Sequence, residues 1–82
     1  MRHLDFTPHF LRSYNKAPAE IRRAFDKQAL LLRENLNHPS LHANKYNEGQ
    51  DVWQARVTKG WRFYFKIVGD TYRLEEIRNH PK

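Results

Sequence analysis

A chain of 82 residues leaves room for one domain with one small core and excludes two independent ones. Five Phe, four Tyr and two Trp in a sequence that is 39% hydrophobic exclude a disordered polar tail, and the absence of Cys excludes a disulfide framework or a thiolate metal site. Fifteen Lys and Arg against nine Asp and Glu give a formal charge of +6, which favours a polyanionic partner such as RNA, DNA or an acidic protein segment.

The opening "MRHLDFTPHF" lacks the apolar run of a signal peptide. With no stretch long enough to span a membrane, a soluble, cytoplasmic protein is expected. "HLDF" alternates apolar and polar residues and predicts a short first strand, followed by Thr7-Pro8 as the cap and first turn of a helix. Phe10, Leu11 and Tyr14 fall on one face of that helix, which "NKAP" ends because the residue before Pro18 is pushed out of helical geometry. From Pro18, the spacing of Ile21, Phe25, Ala29, Leu32 and Leu36 predicts a longer amphipathic helix, stopped by Asn37 and Pro39. "HPSLHANKYNEGQD" then reads as a polar connection.

The second half predicts a three-stranded antiparallel meander over 52–57, 61–68 and 71–78. "TKG" suits a three-residue hairpin with Gly60 in the left-handed position, and Gly69-Asp70 a two-residue turn. The fold class is therefore α+β: a short N-terminal strand, two helices and a three-stranded meander, with the helices on one face, in a single domain over residues 1–82.

If Val57 faces Trp61, then Ala55 faces Phe63 and Trp53 faces Phe65 on the core side, while Arg56 opposes Arg62 on the other side. Two opposed arginines repel one another in a bare sheet, so the pair points to an anion between them or to screening by exposure to solvent. A plain ladder from the Gly69-Asp70 turn leaves Glu76 facing the core and Ile77 outward, and a bulge at Glu75-Glu76 corrects both. The same bulge brings Arg78 and His80 to the face of Arg56 and Arg62. Glu75 and Glu76, adjacent in a strand, are expected to diverge, which weakens a paired-acid mechanism.

The order strand, two helices and meander, with "VWQARV", "GWRFYF" and a terminal "IRNH", resembles the RelE/ParE toxin superfamily of bacterial type II toxin-antitoxin systems. Its second half is most similar to the YoeB and YafQ branches. That resemblance implies a ribosome-dependent mRNA interferase, an endoribonuclease acting by 2'-hydroxyl attack, and it covers nearly the whole chain. The YoeB-type strand arginine falls on Arg62 and its catalytic histidine on His80. The YafQ-type functional tryptophan falls on Trp61 and its terminal histidine also on His80. The YoeB-type glutamate falls near Ala43 and its terminal tyrosine on Pro81, so neither has an occupant here. Arg56 and Gly60 replace a YafQ-type histidine and aspartate, and His42 stands in for an upstream histidine only if the connection shifts by one residue.

Metal-free RNA cleavage needs a proton removed from the 2'-oxygen, a stabilised phosphorane and a proton for the leaving 5'-oxygen. Arg62, then Arg56, suits the second task through its planar, permanently charged fork. His80 suits acid or base work, and arginines beside it favour the base. Trp61 is either a stacking platform or a core residue. Tyr64 faces outward by alternation but reads first as packing, and Arg78, Lys45, Lys59, Lys66 and His42 are candidate RNA contacts. The histidines lack metal-ligand spacing, so no metal and no cofactor is expected. The expected partners are a cognate antitoxin, mRNA and the ribosome, with a homodimer or a toxin-antitoxin hetero-oligomer as the assembly. A ParE-like topoisomerase inhibitor and an inactive RNA- or antitoxin-binding relative stay open beside the nuclease, because one fold hosts several activities.

Overall fold

In a computed structural model that describes residues 2–80, the chain forms β1 (His3–Phe6), α1 (Pro8–Lys16) and α2 (Ala19–Glu34), then a 3-10 turn (Pro39–Leu41). Four strands follow: β2 (Asn44–Asn47), β3 (Val52–Thr58), β4 (Trp61–Val68) and β5 (Thr71–Asn79). They make one five-stranded sheet in the order β1-β5-β4-β3-β2, with β1 parallel to β5 and the other pairs antiparallel. The expected meander is its centre. The expected polar connection, however, contains β2, so the sheet is wider than a three-stranded meander flanked by a lone first strand.

Thr7 caps α1 as expected: its hydroxyl accepts from the Phe10 amide at 3.0 Å. The same hydroxyl donates to the Leu74 carbonyl at 3.0 Å, which ties the cap to β5. Beyond Phe6 the edge of β5 has no strand beside it, and α1 takes that place: the Ile77 amide donates to the Ser13 hydroxyl at 3.2 Å. This satisfies an edge donor that would otherwise be open to another chain. At the corner between the helices, Arg22 donates to the Ala17 carbonyl.

α2 ends earlier than its apolar spacing predicts. Asn35 leaves helical geometry at φ −162°, and its side chain accepts from the Asn37 amide at 2.9 Å, a local turn that competes with another helical residue. Leu36 still packs on the core from outside the helix. The core itself joins Phe10, Phe25 and Leu32 of the helices to Ala55, Val57, Phe63, Phe65, Leu74 and Ile77 of the sheet. Phe25 meets Phe63 edge-on at 5.1 Å between ring centroids, a geometry favoured by the ring quadrupoles, and lies tilted against Phe10 at 5.0 Å.

The central register is the one the alternation predicts, with Trp53, Ala55 and Arg56 opposite Phe65, Phe63 and Arg62. The turn differs. An irregularity between Arg56 and Thr58 sets Thr58, not Val57, opposite Trp61, which leaves the two-residue turn Lys59-Gly60. Gly60 is outside the left-handed region, whereas Gly69 occupies it at φ +60°. Across β4 and β5, Tyr64 opposes Glu76 and Phe65 opposes Leu74, so Glu75 is the extra residue of the expected bulge.

Candidate anion site on the outer sheet face

The bulge has a direct consequence for side chains. C-terminal to it, Ile77 turns inward opposite Phe63 and Arg78 comes to lie opposite Arg62, which itself opposes Arg56. Three arginines thus stand in register across β3, β4 and β5 on the face away from the helices. His80 follows in the same strand direction; it is exposed, and its amide donates to the Gly60 carbonyl at 2.7 Å, which brings the chain end against the β3–β4 turn.

Each arginine is held differently. The Arg56 Nε–H is buried with no acceptor among the described residues, an unsatisfied charged donor that an anion on this face would satisfy. The position of Arg56 is set from beneath by Gln28, a buried side chain of α2, whose amide nitrogen donates to the Arg56 carbonyl at 2.8 Å and to the Ser40 carbonyl at 3.0 Å. The Ser40 hydroxyl returns a bond to the Gln28 oxygen at 2.9 Å, so one glutamine joins helix, connection and strand.

Arg62 curls over its own hairpin. Its Nη1 donates to the carbonyls of Thr58 at 2.9 Å, Lys59 at 2.9 Å and Trp61 at 3.1 Å. Part of the fork thus locks the turn that carries Lys59. Arg78 lies over the Tyr64 ring with its guanidinium carbon 4.6 Å from the centroid, and it donates to the Tyr46 hydroxyl at 3.3 Å. Tyr46 and Tyr64 meet edge-on at 5.0 Å, forming an aromatic floor beside the arginine row. Tyr64 faces outward as expected yet is 5% exposed, because Tyr46 and Arg78 cover it.

Two open hollows adjoin this row. One, of about 300 Å³, is lined by Tyr46, Tyr64, Lys66, Glu75, Glu76 and Arg78 with His9 at its rim. The other, of about 360 Å³, lies along α1 between His9, Arg12 and Lys16 and the sheet residues Trp61, Arg78 and Asn79. Trp61 packs on the core with one part and lines this hollow with another. Lys66 joins the group, and Lys59 stands exposed at the turn.

Two expected contacts lie elsewhere. Lys45 pairs with Asp51 at 2.7 Å and Glu48 at 3.6 Å and sits over the Trp53 ring at 5.5 Å; the Asp51 carboxylate raises its pKa above the ordinary lysine value. His42 ends the 3-10 turn in left-handed geometry at φ 46°, its carbonyl accepting from the Asn44 side chain. Among the described residues, neither makes a hydrogen bond or ion pair with the arginine row. Pro81, set against the family's terminal tyrosine, lies outside the described residues. Among those described, no cluster of metal-ligating side chains occurs and no helix is long and apolar enough to cross a membrane.

Sequence reasoning passes over Tyr46, Gln28 and His9, and it sets Glu76 aside as an acid that diverges from its neighbour. The signal for Tyr46 was a single aromatic inside a polar stretch, and for Glu76 the bulge itself. Because Glu75 is the bulged residue, Glu75 and Glu76 line the same hollow instead of diverging, contrary to simple alternation.

No family model and no curated protein matches the sequence. Solved structures do match. The RelB–RelE antitoxin–toxin complex from Methanococcus jannaschii is 17% identical, with 92% of this chain and 88% of that chain covered at a TM-score of 0.77. YafQ from E. coli strain BL21(DE3) is 16% identical over 96% and 93% at 0.73, and a YoeB/ParE toxin from Agrobacterium tumefaciens is 14% identical over 96% and 99% at 0.77. The chain therefore has, along nearly its whole length, the fold of the RelE, YoeB, YafQ and ParE toxins that its sequence resembles.

Proposed function

We propose that the protein is the toxin of a type II toxin-antitoxin system and acts as a metal-independent, ribosome-dependent mRNA endoribonuclease that halts translation in the cytoplasm. The observation that carries this reading is the register of Arg56, Arg62 and Arg78 across three strands, with a buried Arg56 Nε–H awaiting an acceptor. Such a row suits a phosphodiester whose negative charge grows in the transition state. Arg62 and Arg56 stabilise the phosphorane, Arg78 with Lys66 and Lys59 positions flanking phosphates, His80 moves a proton at the reacting oxygens, and Trp61 stacks on a base. The toxin partner is an antitoxin with an acidic or amphipathic segment laid over the basic face, a reading supported by the RelB–RelE complex among the similar structures.

Induced expression in bacterial cells, with primer extension on a translated mRNA, tests this. Wild type is expected to produce translation-dependent cuts that disappear in Arg62→Ala and His80→Gln. Since Arg62 also holds its hairpin, both variants need a melting temperature near that of wild type. A second reading is a ParE-like inhibitor of a type II topoisomerase. It draws on the Arg62 fork, part of which is spent on turn carbonyls, and on a fold common to both activities. Growth arrest with intact mRNA would favour it, and neither effect would favour an inactive binding relative.

A further inference from the structure

His9, Glu76 and Arg78 line both hollows and form the wall between them. Glu76 is the acidic member of that wall, on a face otherwise dominated by cations. Its side chain is 33% exposed, with His9 Nε2 at 3.6 Å on one side and Arg78 Nη1 at 3.6 Å on the other. Neither separation is a hydrogen bond. The carboxylate is thus held between an imidazole and a guanidinium while its oxygens keep free acceptor capacity. Glu76 stands beside Arg78 in the strand and opposite Tyr64, next to the place where the arginine row would hold a phosphate.

We propose that Glu76 is the general base of the cleavage reaction, an inference that rests on the nuclease reading. Glu76 takes the proton of the 2'-hydroxyl as the 2'-oxygen forms its bond to phosphorus. The bond from phosphorus to the 5'-oxygen breaks, and that oxygen takes a proton from the His80 imidazolium, which takes the acid role of its two expected ones because Glu76 fills the base role. The products are a 2',3'-cyclic phosphate and a 5'-hydroxyl, and solvent returns Glu76 and His80 to their starting forms. Arg78 binds a non-bridging oxygen, and His9 is a positioning residue that fixes the carboxylate from α1. The charged and titratable groups facing Glu76 are His9 from α1, Lys66 and Tyr64 from β4, Glu75 and Arg78 from β5 and Tyr46 from β2, with Arg12 and Lys16 farther along α1.

The test is single-turnover cleavage of mRNA on programmed bacterial ribosomes across pH, together with binding of a 2'-O-methyl RNA that cannot react. Glu76→Gln is expected to cut the rate by roughly 10²–10⁴-fold, to bind the inert RNA as tightly as wild type or more so, and to lose the fall in rate toward acid pH. Glu76→Asp should recover part of the rate, and a wild-type melting temperature for Glu76→Gln confirms the fold. Three results overturn the proposal. Cleavage by Glu76→Gln at the wild-type rate removes the base, and a loss of rate with weaker binding and a wild-type pH profile reduces Glu76 to a scaffold; both leave the nuclease reading standing. No cleavage by wild type removes that reading and this one together.

Discussion

On the inner side of the sheet, Ala55, Phe63 and Ile77 line up across β3, β4 and β5 and are buried; next to each of them in its strand, Arg56, Arg62 and Arg78 line up on the outer side. The backbone is shared, and only the two-residue period of the strands separates an apolar layer from a row of like charges. The inner row is stable by itself because burial and close packing favour it. The outer row has self-repulsion and an orphaned Nε–H, so its stabilisation must come from groups around it or from a bound anion. Substitutions on the two rows should therefore separate stability from binding.

The largest effect is expected from Phe63→Ala, which opens a cavity where Phe25 and Phe65 meet that ring. Urea unfolding should show a loss of about 3–5 kcal/mol, enough to unfold much of so small a domain. Gln28→Ala is next. It strips the Arg56 and Ser40 carbonyls of their shared donor, and the same measurement should show about 1–3 kcal/mol. If Gln28→Ala leaves stability untouched, the link from helix to arginine row is not mechanical.

Arg62→Lys keeps the charge but loses the planar fork that holds the hairpin carbonyls, and should cost roughly 0.5–1.5 kcal/mol. A drop in cleavage far beyond that small loss would assign the fork to the phosphate as well as to the turn. Arg56→Met sharpens the contrast most. It removes the orphaned donor, so stability should hold steady or rise by up to about 1 kcal/mol. Meanwhile the log–log slope of RNA affinity against salt should flatten by roughly 0.7–0.9 for the lost phosphate contact. A steeper or unchanged slope would place Arg56 outside the RNA path. Lys45→Ala, with its ion pairs at the far edge of the sheet, should change neither reading measurably.

Much of this arrangement was legible in the residues. Thr7-Pro8 marks a helix start because the hydroxyl has an amide to accept from and the proline has none to lose. The Glu75 bulge was legible too, because an unbroken ladder would have buried Glu76 and exposed Ile77. β2 was not: "NKYN" is short and polar, and its strand geometry comes from pairing with β3 at the sheet edge. The β3–β4 turn was misread for a similar reason, since the irregularity at Val57 shifts which residue faces Trp61.

By itself the sequence determined the α+β class, the central register and the outward arginine row. Those follow from local periodicity, and a one-residue slip would bury charge. Only the tertiary structure decided that α1 covers the open edge of β5, that Tyr46 and Tyr64 form a floor under Arg78, and that His9 and Glu76 meet. These groups are distant in the chain, and no local pattern encodes a distance that packing alone sets.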